Sequence, residues 1–219
     1  MRRFLEPLLR KVDLEDAYIM WLNYFPDKDK ASLLSGDVKH LIEKRKAKSY
    51  LYDIFKGSTA KNLVEKVMNA DILSYLPEDL LVKVDRATMA NSLEGRSPFL
   101  DHKVMEFAAS IPIDYKLRGL DTKYILKRAF RKEIPMTFLN RRKKGFGVPV
   151  GRWFSGELKD FVRDALLNRR SIDRGLFNEE YIKRLLDEHQ GHKRDHSNRI
   201  WSLLSFEMWH RTFIEKRSI

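Results

Sequence analysis

The sequence predicts an all-α chain, or very nearly so, and three observations carry that prediction. Apolar residues recur at helical spacing along nearly its whole length, no run alternates in the manner of a strand, and there is no repeat or low-complexity tract. Phe4, Leu5, Leu8, Leu9 and Val12 form a first short stripe. Asp13 then stands as a cap for a helix carrying Leu14, Ala17, Tyr18 and Leu22, closed by Pro26. Short helices follow around 31–34 and 38–46. The 50–55 stretch suits strand or helix by composition and is read as helix from its context. Gly57, Ser58 and Thr59 mark a turn before a helix holding Leu63, Val67 and Ala70.

Residues 76–101 are the most informative part of the chain, with eight formal charges in a segment that otherwise reads as buried. Pro77 suits a first helical position, and Glu78 and Asp79 sit where the helix dipole favours negative charge. At about 100° per residue, Leu80, Val84, Ala87 and Thr88 share one face, while Val82 and Met89 form a second apolar flank. Asp79, Lys83 and Arg86 occupy the strip left over, and Asp85 lies between the flanks. Two apolar flanks predict packing on two sides. The charges must then be paired or face a wet pocket, as an active-site wall does.

Gly95 is read as the end of this helix, and Pro98 forces Ser97 out of the helical region. Glu94 and Arg96 are left between apolar segments, either as a structural ion pair or in contact with a substrate. Asp101 caps the next helix, with Val104, Phe107, Ala108 and Ile111 inward and Pro112 as its stop. Asp121 or Thr122 caps another, with Ile125, Leu126, Ala129 and Phe130 inward and Lys123, Lys127 and Arg131 along the adjoining face. Residues 140–153 read as a loop, followed by helices near 156–167, 179–188 and 196–216.

Composition limits the possible functions. The chain has 219 residues, 43% hydrophobic and 34% charged, as in a soluble globular protein. The absence of cysteine rules out a disulfide framework, a thiolate metal site and a cysteine nucleophile. No apolar run approaches the ~20 residues that span a bilayer, and Met1-Arg2-Arg3-Phe4 does not begin a signal-peptide core, so a cytoplasmic address is expected. The net charge of +12 is spread along the chain, with dense spots at 43–48 and 141–144. The first reads as a solvated helix face. The second runs into Gly145-Phe146-Gly147-Val148-Pro149, where glycines allow close approach and Lys143 suits phosphate oxygens. Of the six histidines, only 189, 192 and 196 cluster, beside Glu188 and Asp195. Their spacing matches no zinc pattern.

Three of these segments together resemble one family. Tyr75 to Asp101, with Asp79, Asp85, Arg86, Glu94, Arg96, Pro98 and Phe99, is similar to the signature of bacterial-type glutamine-dependent asparagine synthetases. Thr122-Lys123-Tyr124-Ile125-Leu126-Lys127 and Arg141 to Pro149 follow in the family's order and spacing, and Arg194 to Trp201 resembles its C-terminal end. The resemblance implies the helical C-terminal half of an adenine-nucleotide α-hydrolase-like synthetase domain, spanning 1–219. It also implies a reaction in which ATP and Mg²⁺ adenylate the aspartate side chain before ammonia displaces AMP. Lys143 would then stabilise the phosphates or the acyl-adenylate from its loop, with Lys123 and Gly145 at the same phosphates. Asp79 would be an orienting or acid–base carboxylate, and Asp85, Arg86, Glu94 and Arg96 would be scaffold.

Other parts of the family's pattern do not occur here. The Ser-Gly-Gly-x-Asp-Ser loop, the Gly-Glu-Gly-x-Asp-Glu motif and the cysteine of the glutaminase domain are missing, and no parallel sheet is predicted. The expectation is a chain that alone neither hydrolyses glutamine nor turns over ATP. Its partners would be the remaining half of the synthetase domain and a glutaminase domain, and the face left uncovered would favour self-association. The sequence leaves two other readings. One is part of another amide-forming, ATP-dependent ligase of the same superfamily, lactam-forming or sugar-amidating. The other is a stand-alone basic helical module for nucleic acid or a protein partner, centred on 141–144; against it, the charge is dispersed.

Overall fold

The apolar stripes of the C-terminal third generate the core. Helix Glu179–Gln190 buries Tyr181, Ile182, Leu185, Leu186 and His189, and helix Ser197–Trp209 buries Ile200, Leu203, Leu204 and Glu207. Both sets recur at three- and four-residue spacing and fill one face of each helix. Helix Lys159–Leu167 supplies Val162, Ala165 and Leu166 against both, and Phe154 and Leu33 complete the cluster.

A computed structural model describes residues 13–43, 49–141 and 147–216. The chain divides into two compact units, residues 1–50 with 147–219, and residues 51–146. The Phe4–Val12 stripe, most of the charged run at 43–48, and Lys143 and Gly145 lie outside the described residues.

In the first unit, α1 (Leu14–Leu22), α2 (Asp27–Leu33) and α3 (Gly36–Glu43) precede α11 (Val150–Ser155), α12 (Lys159–Leu167), α13 (Arg169–Asp173), α14 (Glu179–Gln190) and α15 (Ser197–Trp209). A π-helical turn, His210–Ile214, continues α15. Asn168 and Asn178 cap α13 and α14 by accepting the Ser171 and Tyr181 N–H groups at 2.8 and 3.0 Å. Asp13 precedes α1, but its side chain makes no capping bond, and Pro26 opens α2 instead of closing α1. Val150–Ser155 is helical where a loop extending to 153 was expected.

In the second unit, α4 (Ser49–Gly57, entering from the boundary) and α5 (Leu63–Leu73) lead into a π-helical segment, Leu76–Leu81, continuous with α6 (Val82–Met89). The helix widens where Pro77 has no N–H to give to the ladder. A 3₁₀ turn, Pro98–Leu100, precedes α7 (His102–Ser110), then come α8 (Ile113–Lys116), α9 (Tyr124–Ala129) and α10 (Met136–Leu139). Asp101 caps α7 as expected, accepting the Lys103 N–H at 2.9 Å.

Three expectations for this unit are corrected. The first is the cap at Asp121 or Thr122: the chain is very nearly all helical as expected, but β1 (Leu117–Arg118) pairs antiparallel with β2 (Asp121–Thr122). Gly119, at φ 61°, takes the left-handed position that a two-residue hairpin turn needs. Asp121 and Thr122 are therefore strand residues, and the Asp121 carboxylate pairs with Lys127 instead of capping α9. The second is the helix end. α6 stops at Met89 and closes with Ser92 at φ 57°. There the Ser92 N–H meets the Met89 carbonyl and the Leu93 N–H the Thr88 carbonyl, both at 3.0 Å. That is a Schellman closure with serine, not Gly95, in the left-handed position. The third is the pair of buried flanks. Val84, Met89, Phe99 and Phe107 are more than half exposed. Among the described residues of this unit only Phe55, Ala70 and Ser74 are buried, so too little other chain lies against α6 and α7 to cover them.

Candidate functional site

The π-helical segment and α6 form one wall of an open groove of about 740 Å³, and residues 95–101 form the other. The 94–97 stretch runs beside α6, with Gly95 next to Thr88 and Val84. A Cβ there would sit 3.7 Å from Thr88 and from Val84 Cγ1. Thr88 itself turns inward to its helix, donating to the Val84 carbonyl at 2.9 Å. Asp85 and Arg96 both line the groove, facing each other's wall among Val82, Val84, Pro98 and Leu100. The groove thus offers apolar side chains, the Arg96 guanidinium, one of whose donors is held by Glu94, and the carboxylates of Asp85 and Asp101. That is the equipment to hold a polar ligand by one charged end.

The remaining predicted residues are placed as follows. Asp79 lies on the π-helical segment and pairs with Lys83 at 3.3 Å, half exposed. Glu94 and Arg96 form the expected ion pair at 2.9 Å, with both side chains open to solvent. Arg86 is exposed on α6. Lys123 does not line the groove. It precedes α9 at φ 58°, a left-handed conformation unusual for lysine. Arg131 falls beyond the end of α9, so the expected stripe of Lys123, Lys127 and Arg131 on one helix is not formed. Of the eight predicted site residues, the structure brings Asp85 and Arg96 into one groove and ties Glu94 to Arg96. Lys143 and Gly145 lie outside the described residues.

Sequence reasoning missed two polar arrangements. Beside Lys123, the Arg118 guanidinium donates to the Tyr124 hydroxyl at 2.7 Å and lies 5.3 Å from its ring centre. In the first unit, Glu207 occupies a core position, and the Arg174 guanidinium meets its carboxylate with two bonds at 2.6 and 2.7 Å. Arg211 adds a third at 2.5 Å. Burial pushes the Glu207 carboxyl up, but the Arg174 and Arg211 hydrogen bonds outweigh it and hold the group at about 2. The signal was present: Glu207 falls seven residues after Ile200, in line with the apolar stripe. His189 and His196 each bond protein partners, the Gly151 carbonyl and the Glu188 carboxylate, at 2.9 and 2.7 Å.

Comparisons with known proteins agree with one another. The family model for asparagine synthase matches residues 7–211. The chain is 36% identical over 204 residues to asparagine synthetase [glutamine-hydrolyzing] 1 of Bacillus subtilis, covering 93% of this chain and 31% of that protein. It is 38% identical over 163 residues to a provisionally named glutamine-hydrolysing asparagine synthetase of Mycobacterium bovis, covering 74% and 25%. With asparagine synthetase [glutamine-hydrolyzing] 3 of B. subtilis it shares 32% identity over 105 residues, 43% and 17% of the two chains. No solved structure matches significantly. The chain therefore spans about a third or less of the length of these relatives. A match running from residue 7 to residue 211 takes in the groove, the hairpin and the α11–α15 bundle alike, and the chain belongs to the asparagine synthase family.

Proposed function

We propose that this chain forms the helical C-terminal part of an asparagine synthetase with an adenine-nucleotide α-hydrolase-like synthetase domain, acting in the cytoplasm. The observation that carries the reading is the family match across residues 7–211, with the signature segment 76–101 folded around a groove. In the reaction, an oxygen of the aspartate side-chain carboxylate attacks the α-phosphorus of ATP and pyrophosphate leaves. Ammonia derived from glutamine then attacks the acyl carbon and AMP leaves. Charge grows on the phosphate oxygens in the first step, so fixed cations placed there lower the barrier. Lys143, with Lys123 and Gly145, serves those oxygens, and Asp79 orients the reacting groups. Asp85, Arg86, Glu94 and Arg96 shape the wall they work against.

Magnesium neutralises phosphate charge when bound, and the described residues bear on a place for it by their chemistry alone. Among the described residues no three carboxylate or imidazole groups converge, and Asp79 is already paired with Lys83. The exposed apolar residues of α6 and α7 provide surface for further protein to cover. Among the described residues no helix is long and apolar enough to cross a membrane.

The test is isotopic. A hybrid in which this chain replaces the matching third of the B. subtilis relative is given aspartate labelled with ¹⁸O in its side-chain carboxylate. Label in AMP, with asparagine formed, is the expected result. Label in inorganic phosphate would mean phosphorylation instead of adenylation. Label transfer from a different acid only would move the chain to another amide-forming ligase.

A further inference from the structure

His189 lies in the buried stripe near the end of α14, 5% exposed, and backbone groups from two other segments meet its ring. Nε2 is 2.9 Å from the Gly151 carbonyl in the first turn of α11. A carbonyl only accepts, so Nε2 carries the proton. Nδ1 accepts the His196 N–H at 3.2 Å. Those two bonds specify one neutral tautomer. Gly151 packs closely here: a Cβ there would stand 3.3 Å from Ser197 Cβ, a tight contact, and 3.7 Å from His189 Cε1. One imidazole thus joins α11, α14 and the start of α15.

The charged groups around it come from each neighbouring element. Asp195, in the turn before α15, has Oδ1 3.6 Å from Nδ1, and that oxygen accepts the Ser197 N–H at 2.9 Å. Glu188 of α14 holds the His196 ring at 2.7 Å, and Arg194 and, from α15, Arg199 act on the same ring. From α11 the facing group is the uncharged Gly151 carbonyl.

We infer that His189 is a proton-sensitive latch: its neutral ring ties the first turn of α11 and α14 to the start of α15, and protonation at Nδ1 opens the α15 side. A protonated Nδ1 is a donor, and it would point at the His196 N–H, another donor. That bond is lost. The nearest acceptor is the Asp195 carboxylate, whose Oδ1 would then be shared between the ring and the Ser197 N–H. One proton therefore exchanges the His196 N–H bond at the start of α15 for an ion pair with Asp195, the carboxylate that also holds the Ser197 N–H. Nε2 remains a donor throughout, so the Gly151 tie survives, and Gln190 still reaches the Phe154 carbonyl at the far end of α11. Burial pushes the neighbouring His196 ring down from its ordinary value, partly offset by its hydrogen bond to Glu188. The latch sits two residues past Pro149, where the basic motif ends, and it does not depend on which acid the family member activates.

The test is nuclear magnetic resonance on the ¹⁵N-labelled chain. At pH 8 the His189 ring should show the Nε2–H tautomer and a through-bond N–N coupling between Nδ1 and the His196 amide. Acidification should abolish that coupling in step with His189 protonation, and the Ser197 amide shift should move over the same pH interval. His189→Gln should remove the pH-dependent step in both amides. If that variant does not fold, the wild-type titration decides alone. A proton on Nδ1 at pH 8, or His196 and Ser197 amides indifferent to His189 protonation, would overturn the inference.

Discussion

Arg174 grips Glu207 through two parallel hydrogen bonds at 2.6 and 2.7 Å, both side chains at least 86% buried. Their partners sit on separate elements, Arg174 just after α13 and Glu207 in the core stripe of α15. The pair fixes the turn between α13 and α14 onto the bundle. Arg211, one helical turn after Glu207, adds a third bond to the carboxylate and also reaches the Ala165 carbonyl at 3.0 Å.

Removing Arg174 takes away two of the three guanidinium bonds that compensate a buried charge, leaving Arg211 alone on it. Arg174→Ala should lower the unfolding free energy by about 3 kcal/mol or more, read as a fall in denaturant midpoint. A loss within the ordinary surface range, roughly 0.5 kcal/mol, would mean that water or Arg211 replaces the guanidinium fully.

The same carboxylate sets an acid limit. Its folded value of about 2 lies below the ordinary 4.5. The sign follows: the stabilisation is complete above about 4.5 and disappears as pH falls through about 2. On the order of 3 kcal/mol is at stake. Stability measured from pH 5 to pH 2 should fall steeply in the natural chain and distinctly less in Glu207→Gln, which starts lower. Parallel pH profiles would contradict the assignment.

Glu94 and Arg96 provide the opposite case. Both are open to solvent, so Glu94→Gln should change stability by less than ~1 kcal/mol. In the B. subtilis hybrid, the same change should lower the rate of asparagine formation by tenfold or more, because a misplaced wall residue costs orders of magnitude. An unchanged rate would reduce the pair to surface decoration.

Lys123 holds a left-handed backbone angle that glycine adopts without strain. Lys123→Gly should therefore raise stability by about 1 kcal/mol while lowering hybrid activity through loss of the charge. Equal activity would remove Lys123 from the phosphate role.

The helices were legible because their stripes are local. Leu185, Leu186, Ile200 and Leu204 announce themselves by spacing alone, and Asp101 by its position before an apolar run. The hairpin was not. Two residues per strand give no alternation to read, and the Gly119 turn looks like any loop glycine. The same limit applies to Ser92, whose left-handed closure falls to the residue in register with the Schellman bonds and not to the nearest glycine. In the groove, Asp85 and Arg96 were found as charges out of place, whereas the pairing of Arg174 with Glu207 joins residues 33 apart and leaves no local trace.

The most direct measurement of the central claim is aspartate-dependent exchange of pyrophosphate into ATP, run on this chain alone and on the hybrid with the rest of the B. subtilis enzyme. The chain alone should give no exchange, and the hybrid should exchange in the presence of aspartate and lose that activity with Lys143→Ala. Exchange by the chain alone, or a folded hybrid indifferent to aspartate, would contradict the account.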